Sequence, residues 1–199
     1  MQGSTPRAPH PTLVPVSEAI VTDRLNVRAY RADDAPAVFA AIEESRSELW
    51  PSLVEKHATV DDTRNECLQH AATWILRTTL SYGLFLRDDG SFVGGSGLHH
   101  IDWPARSFEI GYWLRTSAVG RGYVSECVRA LTRLAFEDLA ARRVVIKCNA
   151  DNARSRRVAE RVGYVLEGTL RDAHYDAQEA RWHDTLVFAM TRQDWARIG

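Results

Sequence analysis

The first half of the chain changes from a strand pattern to two helical patterns. Apolar residues at every second position from Leu25 to Ala29 predict a strand. The segment Asp33-Asp34-Ala35-Pro36 offers N-cap carboxylates and a proline suited to a first helical turn. Asp61-Asp62 opens a second helix. The apolar face of that second helix is predicted to consist of Cys67, Leu68, Ala71, Ala72, Ile75 and Leu76.

The second half returns to strands and places two helices between them. Expected strands are Leu84 to Leu86, Phe92 to Ile101, Ser107 to Leu114, Val144 to Ile146, Tyr164 to Leu166 and Thr185 to Met190. Asp88-Asp89-Gly90-Ser91 is typical of a hairpin turn. Amphipathic helices are predicted from Gly120 to about Ala140 and from Asn152 to Val162, the latter ended by Gly163. This order predicts a mixed α/β (α+β) fold, with a mixed sheet and helices on its faces.

Composition narrows the class of protein without indicating its chemistry. The chain has 199 residues, of which 45% are hydrophobic and 26% are charged, which favours one globular domain. Its net charge is −1, so we expect no broad affinity for nucleic acid. No apolar run reaches the length of about 18 residues that a membrane span requires. We therefore expect a soluble protein with no membrane partner.

The cysteines and the N-terminus indicate where the protein works. Cys67, Cys127 and Cys148 are far apart and lack metal-ligand spacing, so we expect reduced thiols and no metal site. No apolar signal-peptide core is present, which favours the cytoplasm. Residues 1–19 carry four prolines and are expected to form a flexible lead-in. Residues 20–199 are then expected to form a single domain.

A strand, a glycine-containing turn and a helix follow one another at the centre of the chain. The strand Glu109-Ile-Gly-Tyr-Trp-Leu114 leads to Val119-Gly-Arg-Gly-Tyr123, where the long helix opens. The free N–H groups of a first helical turn, the helix dipole and Arg121 would suit an anion such as a pyrophosphate. Alternatively, Gly120 and Gly122 only make a turn. The segment is neither a P-loop nor a dinucleotide-binding fingerprint.

A second group of polar residues follows the buried strand. Asn149, Asp151, Asn152 and Ser155 lie where that strand ends and the next helix begins. Ligands commonly bind at such sheet edges. N-capping by Asp151 or Asn152 is the simpler explanation, but it leaves Ser155 without a role.

Together these motifs resemble the GNAT superfamily of acetyl-CoA-dependent N-acetyltransferases. The similarity is closest to its RimJ/RimL branch, which acetylates the N-termini of ribosomal proteins. The motifs that carry it are Glu109-Ile-Gly-Tyr-Trp-Leu114, Gly120-Arg-Gly-Tyr123, Val145-Ile-Lys-Cys148, Asp151-Asn152-x-x-Ser155, Val158-Ala-Glu160 and Gly163-Tyr-x-Leu-Glu-Gly168, with Asp23-Arg-Leu25 and Asp33-Asp34 before them. The resemblance covers about residues 20 to 192.

The resemblance implies the GNAT fold and a binding site for acetyl-CoA. In this fold a central, mixed and mostly antiparallel sheet is splayed into a V and flanked by helices. The pantetheine arm would lie in the V and the pyrophosphate on the glycine turn. The implied cofactor-binding residues are Leu114, Arg115, Val119, Gly120, Arg121, Gly122, Tyr123, Val124, Ser125, Asn149 and Asn152.

Two residues are candidates for proton transfer. An ammonium must lose a proton to a base before it can attack a thioester. Glu109 is a carboxylate on a central strand and a candidate base, although a salt bridge with an arginine would also explain it. The resemblance implies that Ser155 protonates the leaving thiolate, where most of the superfamily uses a tyrosine. Ser155 is otherwise a polar residue on a helix surface.

Other candidates for chemistry have simpler explanations. Trp50, Tyr175 and Trp182 are candidates for the wall of an acceptor pocket, but each also suits ordinary packing. His99 and His100 are candidates for a base or a ligand. Neighbouring strand residues point to opposite faces, which favours solvated positions at a strand edge. Arg156, Arg157 and Arg161 could meet the 3′-phosphate of CoA or could face solvent.

Three functions are compatible with these residues. The first is acetyl transfer from acetyl-CoA to a protein N-terminus in a ternary complex, with a ribosomal protein as the expected acceptor. The second keeps the chemistry and changes the acceptor to an amino acid, a polyamine or an antibiotic. The third is a CoA-binding sensor without turnover, against which the presence of both Glu109 and Ser155 argues. We expect a monomer or a homodimer.

Overall fold

The computed structural model describes residues 10–176 and 179–198. Its strands are β1 (Ala19–Val21), β2 (Leu25–Ala29), β3 (Leu80–Leu86), β4 (Phe92–Asp102), β5 (Ser107–Leu114), β6 (Arg143–Asn149), β7 (Val165–Asp176) and β8 (Arg181–Thr191). Its helices are α1 (Ala35–Ser45), α2 (Pro51–Glu55), α3 (Val60–Leu76), α4 (Tyr123–Arg133), α5 (Ala153–Val162) and α6 (Arg192–Ile198). Within the described ranges, no helix combines the length and the apolarity that a bilayer crossing demands.

One sheet of eight strands organises the described chain, in the order β1-β2-β3-β4-β5-β6-β8-β7. Neighbouring strands are antiparallel except β5 and β6, which run parallel. These two pair only where Ser107–Glu109 faces Arg143–Val145. Beyond Glu109 the strands lose their register and the sheet opens into a V. The expected mixed, mostly antiparallel and splayed sheet is thus confirmed.

The core consists of two hydrophobic clusters. The larger cluster packs α4 and α5 onto the sheet through side chains such as Val128, Leu131 and Phe188. The smaller cluster packs α1 against the sheet around Ile42, Phe85 and other apolar residues. The helix predicted from Gly120 is α4, and it continues after Arg133 as a π-helical turn over Leu134–Asp138.

The predicted apolar face of α3 is confirmed at Cys67, which is buried, and is wrong for its leucines and isoleucine. Leu68, Ile75 and Leu76 are 54%, 68% and 57% exposed. The other buried side chains of this helix are Thr63 and Trp74. The indole of Trp74 packs edge-on against Tyr82 of β3, with ring centroids 4.7 Å apart. Burying this one large ring turns the aliphatic stripe toward solvent.

The fold includes three short elements, and part of the expected lead-in, that the sequence did not predict as structured. The sequence pattern did not predict β1, α2 or α6. Val14 is buried in the larger cluster, so packing begins before the expected domain boundary at residue 20. The backbone carbonyl of Ser17 accepts a hydrogen bond from Tyr82 at 2.9 Å. Residues 1–9 lie outside the described residues, and the expected flexibility there stays a prediction.

Candidate active site

A cavity of ≈ 1040 Å³ lies in the V, between the end of β5 and the start of α5. Of the expected site residues, it is lined by Trp50, Leu114, Val119, Gly120, Gly122, Val124, Ser125, Asn152 and Ser155. Arg115, Arg121, Tyr123, Asn149, Glu109, Tyr175 and Trp182 are not part of its lining. The V therefore brings most of the expected cofactor-binding residues together around one space.

The glycine turn has the backbone shape of an anion site. Gly120 and Gly122 have φ of +83° and +84°, in the left-handed region that favours glycine. Helical hydrogen bonding in α4 begins where the N–H of Glu126 donates to the carbonyl of Gly122 at 3.2 Å. The N–H groups before Glu126 have no partner within the helix and lie at its positive end. Because Gly120, Gly122, Val124 and Ser125 also line the cavity, this end faces the V.

A clamp that sequence reasoning missed fixes the first turn of α4 to the start of β2. One oxygen of the Glu126 carboxylate accepts from the hydroxyl of Thr22 at 2.6 Å and from the backbone N–H of Arg24 at 2.8 Å. The Arg24 guanidinium donates to the carbonyl of Arg121 at 2.8 Å and lies over the ring of Tyr123. Burial opposes ionisation of Glu126, but these hydrogen bonds outweigh it and lower the pKa of its carboxyl. The clamp holds the glycine turn in place.

A second clamp occupies the side chain of Arg115. Its guanidinium Nε donates to the Glu44 carboxylate of α1 at 2.8 Å. The other Glu44 oxygen accepts from the backbone N–H of Ser117 at 2.7 Å. The hydroxyl of Ser45 accepts from the N–H of Thr116 at 2.9 Å. The hydrogen bonds from Arg115 and then Ser117 hold the pKa of Glu44 at about 2. Arg115 thus anchors the end of β5 to α1.

The start of α5 combines capping with access to the cavity. The side-chain oxygen of Asn152 accepts from the backbone N–H of Ser155 at 2.9 Å, so Asn152 is the N-cap. Its amide NH₂ is left to serve as a donor, and Asn152 also lines the cavity. The side-chain oxygen of Asn149 accepts from the N–H of Asp151 at 2.8 Å. Capping therefore explains part of this polar group, as the sequence suggested.

Ser155 and Tyr112 form a hydroxyl pair in the cavity. The Oγ of Ser155 lies 2.8 Å from the Oη of Tyr112, and both residues line the V. Burial raises the pKa of Tyr112 to about 12, so its phenol keeps its proton at neutral pH. Sequence reasoning missed Tyr112, although strand alternation puts it on the face of β5 opposite Glu109. Cys148 is buried nearby, and burial raises the pKa of its thiol.

Glu109 lies at the apex of the V, on the face of β5 turned away from Tyr112. Its carboxylate is 2.8 Å from the ammonium of Lys147 on β6. The side chain of Glu109 is 19% exposed, so water and small groups can reach it. The suggested salt bridge exists, but its partner is a lysine and not an arginine. Glu109 therefore lies beside a cation at the point where the two strands separate.

The two histidines of β4 do not follow strand alternation. His100 has a φ of +45°, at an irregularity in the pairing with β5. This left-handed residue turns its imidazole toward Glu109, with 3.5 Å from Nδ1 to the carboxylate. His99 is the direct cross-strand partner of Glu109. The expectation that His99 and His100 point to opposite faces is wrong here because His100 breaks the regular backbone.

Arginines of α5 make one wall of the cavity cationic. Arg154, Arg157 and Arg161 recur at helical spacing and line the V. Arg154 lies 3.6 Å from the Glu48 carboxylate across the opening. Arg156 is on another face of α5 and pairs with Glu160 at 2.8 Å. The structure thus separates the arginines after Ser155 into cavity-facing and surface-paired residues.

Tyr175 and Trp182 lie at the far end of the β7–β8 hairpin. Their rings are cross-strand partners with centroids 5.3 Å apart, and both are about half exposed. In the same hairpin, Asp176, Glu179 and His183 bring possible metal-ligand atoms within 4.8 Å of one another. The guanidinium of Arg181 also contacts Glu179 at 2.5 Å. Because Glu179 already pairs with this cation, we assign no metal to the cluster.

The residues of the V fit acetyl-CoA. A long, anionic and flexible molecule needs a helix N-terminus for its phosphates, cations beside them and amide partners for its arm. The glycine turn, the α5 arginines and Asn152 offer these groups around one cavity. The unpaired inner edges of β5 and β6 offer backbone partners for an extended arm.

Comparison with known proteins relates the chain to acetyltransferases. The family described as "Acetyltransferase (GNAT) domain" matches residues 24–165. The YdaF protein of Bacillus subtilis (strain 168) is 29% identical over 182 residues, covering 88% of this chain and 95% of YdaF. The ribosomal-protein-serine acetyltransferase of Escherichia coli (strain K12) is 28% identical over 160 residues, covering 78% of this chain and 87% of the enzyme.

Solved structures agree with this relationship. The ribosomal L7/L12 alpha-N-protein acetyltransferase RimL in complex with coenzyme A has a TM-score of 0.77 and 27% identity to this chain. The match covers 89% of this chain and 97% of that one. Family match, relatives and fold agree with the geometry of the V. The chain therefore belongs to the GNAT family, in its RimJ/RimL-like branch, and is an acetyl-CoA-dependent N-acetyltransferase.

Proposed function

We propose that the protein transfers the acetyl group of acetyl-CoA to the α-amino group of a protein N-terminus, with a ribosomal protein as the first acceptor to test. Transfer occurs by direct attack in a ternary complex, with Glu109 as general base and Ser155 as general acid. The observation that carries the proposal is the split of the sheet at Glu109. A thioester held in the V then has Ser155 on one side and Glu109 on the other.

The donor half of the site rests on the cavity. Gly120, Gly122 and the first N–H groups of α4 bind the pyrophosphate in this proposal, and Asn152 donates to the pantetheine arm. Acetyl-CoA supplies an activated acyl group whose C–S bond breaks in the reaction. Backbone N–H groups near Leu114 are suited to polarise the thioester carbonyl.

The acceptor half of the proposal rests on the carboxylate of Glu109. A terminal ammonium is attracted to the carboxylate and gives up a proton to it, which frees the lone pair for attack. Lys147, at 2.8 Å, competes with the acceptor for this carboxylate. The acceptor must therefore displace or share the lysine contact to reach the carboxylate.

The relatives support a protein acceptor. The Escherichia coli enzyme named above and RimL carry names that specify ribosomal proteins. We propose the cytoplasm as the compartment and a monomer or homodimer as the working unit.

A thiol-release assay with acetyl-CoA tests the acceptor. Peptides with a free N-terminal serine or alanine are expected to accelerate release, and the same peptides with a blocked N-terminus are not. Free amino acids, polyamines and aminoglycosides form the comparison panel. If a small amine has the higher kcat/KM, the protein-acceptor proposal is overturned and the small-amine function takes its place.

Replacing Glu109 tests the base. Glu109→Gln is expected to lower kcat at neutral pH by about 10²–10⁴-fold, because the carboxylate that removes the ammonium proton is lost. Binding of CoA, read from the rise in melting temperature on its addition, should be retained. Unchanged turnover in this variant would rule out the proposed role of Glu109.

A further inference from the structure

His99 shares its face of the sheet with Glu109. The two residues are directly opposite each other on the antiparallel strands β4 and β5. Residues in such positions have Cβ atoms about 4.5–5.5 Å apart and point to the same side. His99 therefore stands at the apex of the V, beside the carboxylate that is proposed to meet the acceptor.

The imidazole of His99 leans over glycines rather than away from the sheet. A Cβ atom built on Gly97 would lie 3.1 Å from Nε2 of His99, and one built on Gly111 would lie 3.3 Å from its Cδ2. Gly111 belongs to the part of β5 that no longer pairs with β6. The ring therefore lies over two glycines, whose lack of side chains leaves room for it. From its position opposite Glu109 it extends toward the part of β5 that has separated from β6.

The acceptor nitrogen gives up two protons in the reaction, so a second proton acceptor beside Glu109 has a use. An acceptor amine enters as R–NH₃⁺ and leaves as the amide R–NH–CO–CH₃, so its nitrogen loses two protons as the C–N bond forms and the C–S bond breaks. The Ser155 hydroxyl protonates the sulfur of CoA and takes a proton back from solvent, while the bases release two, so one net proton goes to solvent. Building on the proposed function, we propose that His99 takes one of the two protons and Glu109 the other.

The surroundings of His99 suit this role. Burial lowers its pKa, so the imidazole is neutral at pH 7 and one ring nitrogen can accept a proton. The Glu109 carboxylate raises that pKa and would stabilise the imidazolium once it forms, whereas His100 on the same strand lowers it. His70 of α3 also faces the ring, and its own pKa is lowered to about 4, so it stays neutral. Lys147 acts through its contact with Glu109.

His99→Asn and His99→Gln test the proposal against a serine- or alanine-initiated peptide. Both amides keep a polar side chain but cannot take a proton near pH 7. We expect kcat/KM at pH 7 to fall by about 10–100-fold. The deficit should shrink toward about pH 9, where an α-amino group is already deprotonated. His10→Asn, the same change at a surface histidine of the N-terminal segment, is the matched control.

The pH profile separates proton transfer from a structural role. A deficit of equal size at pH 7 and pH 9, or no deficit at either, overturns the proposal. The rise in melting temperature with CoA shows whether each variant is folded and binds the donor. Glu109→Gln is measured in parallel: full activity there contradicts the proposed function, whereas full activity of both His99 variants contradicts only the second proton acceptor.

Discussion

At the scale of single residues, the donor side of the site depends on a pair of hydroxyls. The 2.8 Å contact between Ser155 and Tyr112 joins α5 to β5 across the V. Because the pKa of Tyr112 is about 12, the phenol can donate to Ser155 while the Ser155 hydroxyl donates to a thiolate. Two hydroxyls that can carry a proton are therefore next to each other on this side of the cavity.

The variants Ser155→Ala and Tyr112→Phe show which of the two hydroxyls protonates the thiolate and which one only supports it. We expect Ser155→Ala to lower kcat about 10–100-fold, since the group that protonates the thiolate is lost. Tyr112→Phe removes only the phenol hydroxyl that contacts Ser155, so it should lower kcat by a smaller factor. Single-turnover thiol release at pH 7 measures both. A larger loss in Tyr112→Phe would make the tyrosine the proton donor and Ser155 its partner.

At the scale of elements, the turn before α4 is held by contacts from outside the helix. Thr22 and Arg24 fix Glu126, and Glu44 and Ser45 fix the residues after β5. Together the two clamps fix both ends of the segment between β5 and α4. Contacts within the protein thus position the glycine turn that we propose to bind the pyrophosphate.

Gly120→Ala tests the turn against a matched glycine elsewhere. Gly120 and Gly90 have φ of +83° and +73°, and a Cβ on either would meet no atom within 4 Å. Each alanine variant should therefore lose about 1 kcal/mol of stability through the left-handed backbone alone. Only Gly120 lines the cavity, so only Gly120→Ala should raise the KM for acetyl-CoA. Equal KM values in the two variants would remove the turn from the binding site.

Local sequence patterns predicted which segments form strands and helices better than they predicted how these elements pack. The bounds of β2 and β5 agree with the structure because alternation and flanking turn residues mark them in the sequence. The buried face of α3 could not be predicted, since packing of Trp74 on Tyr82 decides it. β1, α2 and α6 are too short for periodicity to reveal. The helical spacing of Arg154, Arg157 and Arg161 was a sequence signal that could have predicted their common face on α5.

In the candidate site, too, the sequence predicted the residues of local motifs but not the contacts between distant elements. Glu109, Ser155 and the glycine turn were predicted because they lie in motifs that the family resemblance carries. Tyr112 and Lys147 acquire their partners only when distant strands and helices meet. The orientation of His100 depends on a positive φ that nothing in its sequence neighbourhood requires. Long-range contacts and irregular backbone therefore limit what the sequence alone predicts.

At the scale of the whole molecule, the nearly neutral chain binds an anionic donor by local arrangement of charge. A net charge of −1 coexists with three arginines on one wall of the V. The two hydrophobic clusters lie on different parts of the fold, and the Glu44–Arg115 contact joins α1 of the smaller cluster to the end of β5. We expect this polar contact to couple the α1 region to the proposed donor site.

Glu44→Gln tests that coupling through its dependence on pH. The folded-state pKa of Glu44 is about 2, below its ordinary value of 4.5, so its carboxylate stabilises the fold above pH 4.5 and this contribution is lost as pH falls toward 2. Because the pair is partly exposed, we expect the variant to lose about 1 kcal/mol or less at pH 7, or a melting temperature lower by about 2–4 °C. The gap to wild type should stay constant from pH 7 to 5 and close below pH 4.5. The KM for acetyl-CoA should rise at pH 7, because the turn after β5 loses its anchor. A stability gap that persists at pH 2 would assign the loss to packing and not to the carboxylate.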